Sequence, residues 1–172
     1  MRHELFPVDL VHDAEALLAE LKRLGFRLAT VESCTGGLLA GLLTEVPGAS
    51  VVVERGFVTY SNTSKSGLAG VDPALIDARG AVSAEVARAM AEGGLVHAPV
   101  DLAIAVTGIA GPDGGSREKP VGLVYLAVAR KSRGTLVREC RFGSIGRSAI
   151  RLASVKAAIE LARRVVSSQG RD

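Results

Sequence analysis

Short β-branched apolar runs alternate with stretches of helical periodicity through the first two-thirds of this 172-residue chain, and that alternation restricts the architecture more than any other feature. Residues 9–24 place Leu10, Ala14, Leu17, Leu18, Leu21 and Leu24 three or four apart with Glu and Lys between them, and Gly25 ends the pattern. Residues 27–31 follow as a short strand. Leu38, Leu39, Leu42 and Leu43 then restore helical spacing until Pro47-Gly48 breaks it. Residues 51–60 are apolar and β-branched, which predicts a strand buried on both faces that delivers Thr59, Tyr60, Ser61 and Asn62 at its end. A polar loop or short helix carrying Lys65 comes next. Ser83 is a candidate N-cap with Glu85 in the first turn, and Val86, Ala89, Met90 and Ala91 mark a helix that stops at Gly93-Gly94.

A strand over 102–107 follows, then residues 121–129 and 135–142 predict an antiparallel hairpin joined by 130–134. The last helix spans about 147–167, where Ile150, Ala153, Val155, Ala158, Ile159 and Val165 are partly buried. Strands that alternate with helices pair in parallel and are covered on both faces, so the expected fold is α/β. It is a three-layer α/β/α sandwich with a mixed, mostly parallel sheet, in a single domain over residues 1–172.

Aromatic residues make up 3% of the chain and tryptophan is absent, so the core must be built from Ala, Val, Leu and Ile. Stacking platforms for bases are not expected. The formal charge of +3 is scattered, which gives no footprint for nucleic acid. Cys34 and Cys140 lie far apart without a Cys-x-x-Cys pairing, and the N-terminal stretch lacks the apolar run of a signal peptide. A cytoplasmic location is expected, with no membrane span and no cofactor. Metal chemistry is not expected either, since no His-Glu-x-x-His or Cys/His ligand spacing occurs.

Three turns fall at the predicted strand ends, where open α/β sheets gather their ligands: 33–37, 60–65 and 107–115. In the first, Ser33 and Cys34 precede paired glycines where a strand gives way to a helix. Exposed amides there can hold an anion or a developing oxyanion. Ser33 needs a base, because an alcohol is barely ionised near neutrality. His3 and His12 lie in the N-terminal region and His97 at a helix end, none well placed for a Ser-His-Asp triad. Lys65 is the better candidate, since a lysine drawn into a poorly solvated cleft can lose its proton, with Tyr60 to orient it or relay the proton. The plain alternative is that Ser33 only caps a helix and Lys65 is a solvated surface charge. Cys34 is a rival nucleophile, because a helix N-terminus favours the thiolate, or else a small core filler. The glycine-rich stretch 107–115 could expose backbone donors or simply turn the chain; it is not a Walker loop. Arg147, beside Gly146 at the start of the last helix, could meet a phosphate or stand free on the surface.

The ordered motifs ESCTGG at 32–37, VPGAS at 46–50, VTYSN at 58–62 with Lys65 and Gly70-Val71, GAVS at 80–83, VTGIAGPDGG at 106–115 and EKPVGLVYLA at 118–127 cover nearly the whole chain. Together they resemble the CinA C-terminal domain family. The resemblance implies a three-layer α/β/α fold, a dimer or larger homo-oligomer, and a nicotinamide mononucleotide amidohydrolase that forms the carboxylate and releases ammonia. It implies Ser33 as nucleophile, Lys65 as base and Tyr60 as assistant. Thr35, Gly36, Gly37, Asn62, Thr107, Gly108, Gly111 and Arg147 would bind the nucleotide. Val53, Ala69, Asp113 and Ile145 depart from the usual pattern. Full-length CinA proteins carry a larger N-terminal domain that these motifs do not include, so the resemblance is to the stand-alone form. The same loops could instead bind a nucleotide or partner without turning it over.

Overall fold

The computed structural model describes residues 5–168. Eleven regular elements follow one another: α1 (Val8–Leu24), β1 (Leu28–Glu32), α2 (Leu38–Glu45), β2 (Val53–Val58), α3 (Asn62–Ala69), α4 (Pro73–Arg79), α5 (Ala84–His97), β3 (Leu102–Gly108), β4 (Leu123–Arg130), β5 (Gly134–Arg141) and α6 (Arg147–Ser167). The strands form one sheet in the order β2-β1-β3-β4-β5. β1 pairs in parallel with β2 and β3, while β4 runs antiparallel to both β3 and β5. Four strands therefore point the same way and β4 alone is reversed, a mixed and mostly parallel sheet.

Helices α1, α2 and α6 cover one face and α3, α4 and α5 the other, giving the expected three layers. Side-chain alternation makes the two faces unequal. Leu102, Ile104, Val106, Val124, Leu126 and Val128 point toward α1, α2 and α6. The opposite face presents Ala105, Ala127 and Ala129. Small residues on that side let α5 lie close to the sheet.

This closeness explains why α5 does not stop at Gly93-Gly94 but continues to His97. A Cβ on Gly94 would lie 2.8 Å from the Cβ of Ala103 and 2.9 Å from Cγ2 of Val31. One on Gly93 would lie 1.8 Å from the carbonyl oxygen of Ala69 at the end of α3. These glycines are contact points and not terminators. Gly93→Ala is expected to push α3 from α5 at a cost of about 2–4 kcal/mol, since backbone cannot yield as a side chain can. Gly67→Ala, in α3 with nothing within 4 Å of the added carbon, should gain about 0.5–1 kcal/mol from helix propensity. Chemical denaturation of both variants checks the pair; a neutral Gly93→Ala would refute the close-contact account.

Two further differences concern β2 and α4. β2 is an edge strand with four half-buried or exposed positions in its first four residues, not a strand buried on both faces. The physical reason is its partner: β1 takes the interior position and leaves Glu54, Arg55 and Gly56 at the rim. α4 was not anticipated, although Asp72 and Pro73 supply its cap and first position, the Asp72 carboxylate accepting from the Ala74 amide at 2.9 Å. No described helix is long and apolar enough to cross a membrane.

Candidate active site

β1 and β2 are neighbours, yet the chain leaves them toward opposite faces, through α2 and α3 respectively. Such a divergence opens a crevice at the carboxyl edge. Ser33 stands on one side of it. Its amide donates to the Val106 carbonyl at 2.9 Å, so β3 holds the residue as if the ladder continued. Just before it, Glu32 is fully buried and turns its carboxylate beneath α2. There it accepts from the amides of Gly37 at 3.1 Å, Leu39 at 3.0 Å and Ala40 at 2.9 Å, and from the Thr30 hydroxyl at 3.2 Å. A negative group at a helix N-terminus satisfies its orphan donors and complements its dipole.

The other side of the crevice is α3. Ser61 caps it in a reciprocal box with Ser64, and the first turn then carries Lys65 inward until only 1% of it is exposed. Its Nζ lies 3.0 Å from Ser33 Oγ, 2.9 Å from the Thr59 carbonyl and 3.4 Å from the Tyr60 carbonyl. Among the described residues no carboxylate pairs with it. Burial pushes the Lys65 pKa down, an effect only partly opposed by Cys34. The three contacts suit either protonation state: an ammonium donates to all three, while a neutral amine donates to the carbonyls and accepts from Ser33. Lys65 can take a proton without moving.

Tyr60 meets Lys65 through its carbonyl. The residue is 61% exposed at the mouth of the cleft, and its phenolic oxygen accepts from Arg147 Nη2 at 3.0 Å, leaving its own hydrogen free to donate. Arg147, the first residue of α6, also donates to the Gly111 carbonyl at 2.8 Å and ties the glycine-rich loop to the cleft. The Thr107 hydroxyl donates to the Ala81 carbonyl at 2.8 Å. Ser33, Lys65, Tyr60, Asn62, Thr107 and Arg147 line one cleft of about 290 Å³, together with Gly108 and Gly111. A larger cavity of about 650 Å³ lies across the loop, with Asp113 and Gly114 lining both. It holds no pair comparable with Ser33 and Lys65.

Thr35, Gly36 and Gly37 do not line the cleft. The Gly36 amide is taken by the Ser33 carbonyl at 3.0 Å and that of Gly37 by Glu32, so neither is available to an oxyanion. Their glycines serve conformation: φ is +56° at Gly36 and +94° at Gly37, a region costly for other residues. The Thr35 hydroxyl is sealed and is the one such side-chain atom without a partner among the described residues. Cys34 also departs from its thiolate reading. Burial, reinforced by Glu32, pushes its pKa up to about 11, and it packs in the core.

His97 Nδ1 pairs with the Gly93 carbonyl at 2.9 Å, and His12 is exposed on α1. His3 lies outside the described residues. Among those residues no group of acidic, His and Cys side chains could hold a metal. Two residues of the site had no role assigned from sequence. Glu32 is one, signalled only as a charge that ends an apolar strand. The other is Arg151, one helical turn beyond Arg147, whose Nε and Nη2 donate to the carbonyls of Cys34 at 3.1 Å and Thr35 at 2.9 Å.

Fold and site define an open-sheet α/β/α domain with a buried serine–lysine pair at the carboxyl edge of its parallel strands. The chain belongs to the CinA family, whose model for the CinA C-terminal domain matches residues 12–166. It is 48% identical over 165 residues to a CinA-like protein of Mycobacterium tuberculosis, across 96% of this chain and 38% of that protein. With a CinA-like protein of Geobacter sulfurreducens the identity is 53% over 140 residues, across 81% of this chain and 33% of that protein. The chain thus spans little more than a third of the length of these curated relatives. The crystal structure of competence/damage inducible protein CihA from Agrobacterium tumefaciens superposes with a TM-score of 0.92 at 48% identity, covering 95% of this chain and 99% of that one.

Proposed function

We propose that this chain is an amidohydrolase that converts nicotinamide mononucleotide to nicotinate mononucleotide and ammonia through a serine–lysine mechanism. The observation that carries the reading is the 3.0 Å contact between Ser33 Oγ and the buried Lys65 Nζ, which no described carboxylate pairs with. Ser33 Oγ attacks the carboxamide carbon as Lys65 takes its proton. The amide of Cys34, which lines the cleft in the turn that Arg151 grips by its carbonyls and has no backbone acceptor among the described residues, receives the oxyanion. The tetrahedral intermediate collapses, the C–N bond breaks, and the Lys65 proton leaves with ammonia, aided by the free phenolic hydrogen of Tyr60. Water, deprotonated by the same amine, then cleaves the acyl-serine ester. Arg147 and the first amides of α6 suit the phosphate, with Asn62, Thr107, Gly108 and Gly111 along the ribose.

Ammonia release tests this directly. Two charge-assisted hydrogen bonds to phosphate, about 1.5–3 kcal/mol each, predict a kcat/KM at least about 100-fold higher for the nucleotide than for free nicotinamide. Equal turnover would reject the phosphate assignment. Binding of the nucleotide with no ammonia released would reject the enzyme and leave a nucleotide-binding module.

A further inference from the structure

The end of the sheet opposite the cleft carries a second cavity. A cavity of about 330 Å³ is lined there by Arg130, Arg133, Arg164, Thr135, Leu136 and Val165, among others. Arg130 closes β4 and pairs with Leu102 at the start of β3, whereas the cleft lies beyond Gly108 at the end of that strand. Six strand residues separate the two by about 20 Å. One small ligand cannot occupy both.

Arg130 is only 7% exposed. Its guanidinium lies 5.1 Å from the Phe26 ring centroid, and Nη1 reaches the Val165 carbonyl at a long 3.4 Å. A guanidinium has five N–H donors, and this one meets no other acceptor among the described residues. Nor does a described carboxylate pair with Arg130 or with Arg164. The spare donors are not sealed in the protein, because the sole sealed and unpartnered side-chain polar atom there is Thr35 Oγ1. They open onto the cavity that Arg130 lines. A mostly buried guanidinium that no described carboxylate pairs with, and whose spare donors face a cavity, is suited to receive an anion there.

We infer that this cavity binds a phosphate group, free or carried on a small organic body. The planar donor fork of arginine matches phosphate oxygens, and Arg164, in the last turn of α6, adds a second fork. The carbonyls of Arg164 and Val165 in that turn are already taken, by the Ser168 amide and by Arg130 and the Ser168 hydroxyl, which lessens their opposition to an anion. Leu136 and Val165 form an apolar wall against which an organic body can lie.

Calorimetric titration at low salt with inorganic phosphate and with adenosine monophosphate provides the test. The wild type and Arg147→Ala should both bind, since Arg147 belongs to the distant cleft. Arg164→Glu, at an exposed position that leaves the fold undisturbed, should weaken binding at least tenfold, and Arg130→Met should do the same. Stronger binding of the nucleotide identifies an ester as the ligand, and equal binding identifies free phosphate. No heat from either probe overturns the site. So does binding that Arg147→Ala abolishes and Arg164→Glu leaves intact, because the anion then sits in the cleft.

Discussion

Replacing Lys65 with Met or with Arg is expected to lower ammonia release by about 10⁴-fold, as is Ser33→Ala, because nucleophile and base act as a unit and losing either disables both. The arginine variant is the sharper probe. It preserves the positive charge but cannot surrender its proton near neutrality, so activity in Lys65→Arg would replace the base with a merely electrostatic role. The wild-type rate should rise with pH and level off as Lys65 deprotonates, at an apparent pKa below the ordinary lysine value of 10.5. Stability follows the same sign. A folded pKa below the unfolded one means that the native state binds fewer protons in that window. The wild type should therefore gain stability relative to Lys65→Met as pH climbs through the window toward 10.5. Cys34→Ala should stay within about tenfold of wild type, as befits a thiol held protonated by burial; its inactivity would transfer the nucleophile from oxygen to sulfur.

Glu32→Ala should be the most destabilising change near the site. The carboxylate serves three amides and a hydroxyl, and stranded donors cost roughly 1–3 kcal/mol apiece, so the loss should reach about 3–5 kcal/mol. That is a large share of the 5–15 kcal/mol typical of a domain. Glu32→Gln should fall between, since its amide presents a donor to one or more of the same donors. Urea unfolding measures both, and an alanine variant as stable as wild type would remove Glu32 from the account. Ammonia release should fall as well, because a freed Gly37 amide loosens the turn that aims Ser33.

Much of this layout was readable in the chain. The leucines of α1 with Gly25, the Ser83 cap of α5 and the hairpin of β4 and β5 all express local rules, and the structure repeats them. The meeting of Ser33 with Lys65 was readable at one remove, because two strand ends of a parallel sheet share an edge. Other features depend on what packs against what. Gly93-Gly94 has the signature of a helix end until Ala69 and Ala103 are brought against it. Residues 51–60 have the composition of an interior strand, but sheet order, which composition does not encode, puts β2 at the rim. Glu32 and Arg151 gain their roles only when α2 and α6 fold back over the strand end. The paired glycines after Cys34 suggested donors, and the donors were already spoken for.

The reversal of β4 bears on how substrate preference can change. Were β4 parallel to β3, the chain would have to travel the length of the sheet and return before pairing. Instead, residues 109–122 leave one strand and enter the next at the same edge. A whole span of backbone is thus kept above the reactive pair without forming part of either helical layer. That span can be lengthened, shortened or recharged without touching the strand ends that bring the Ser33 alcohol and the Lys65 amine together.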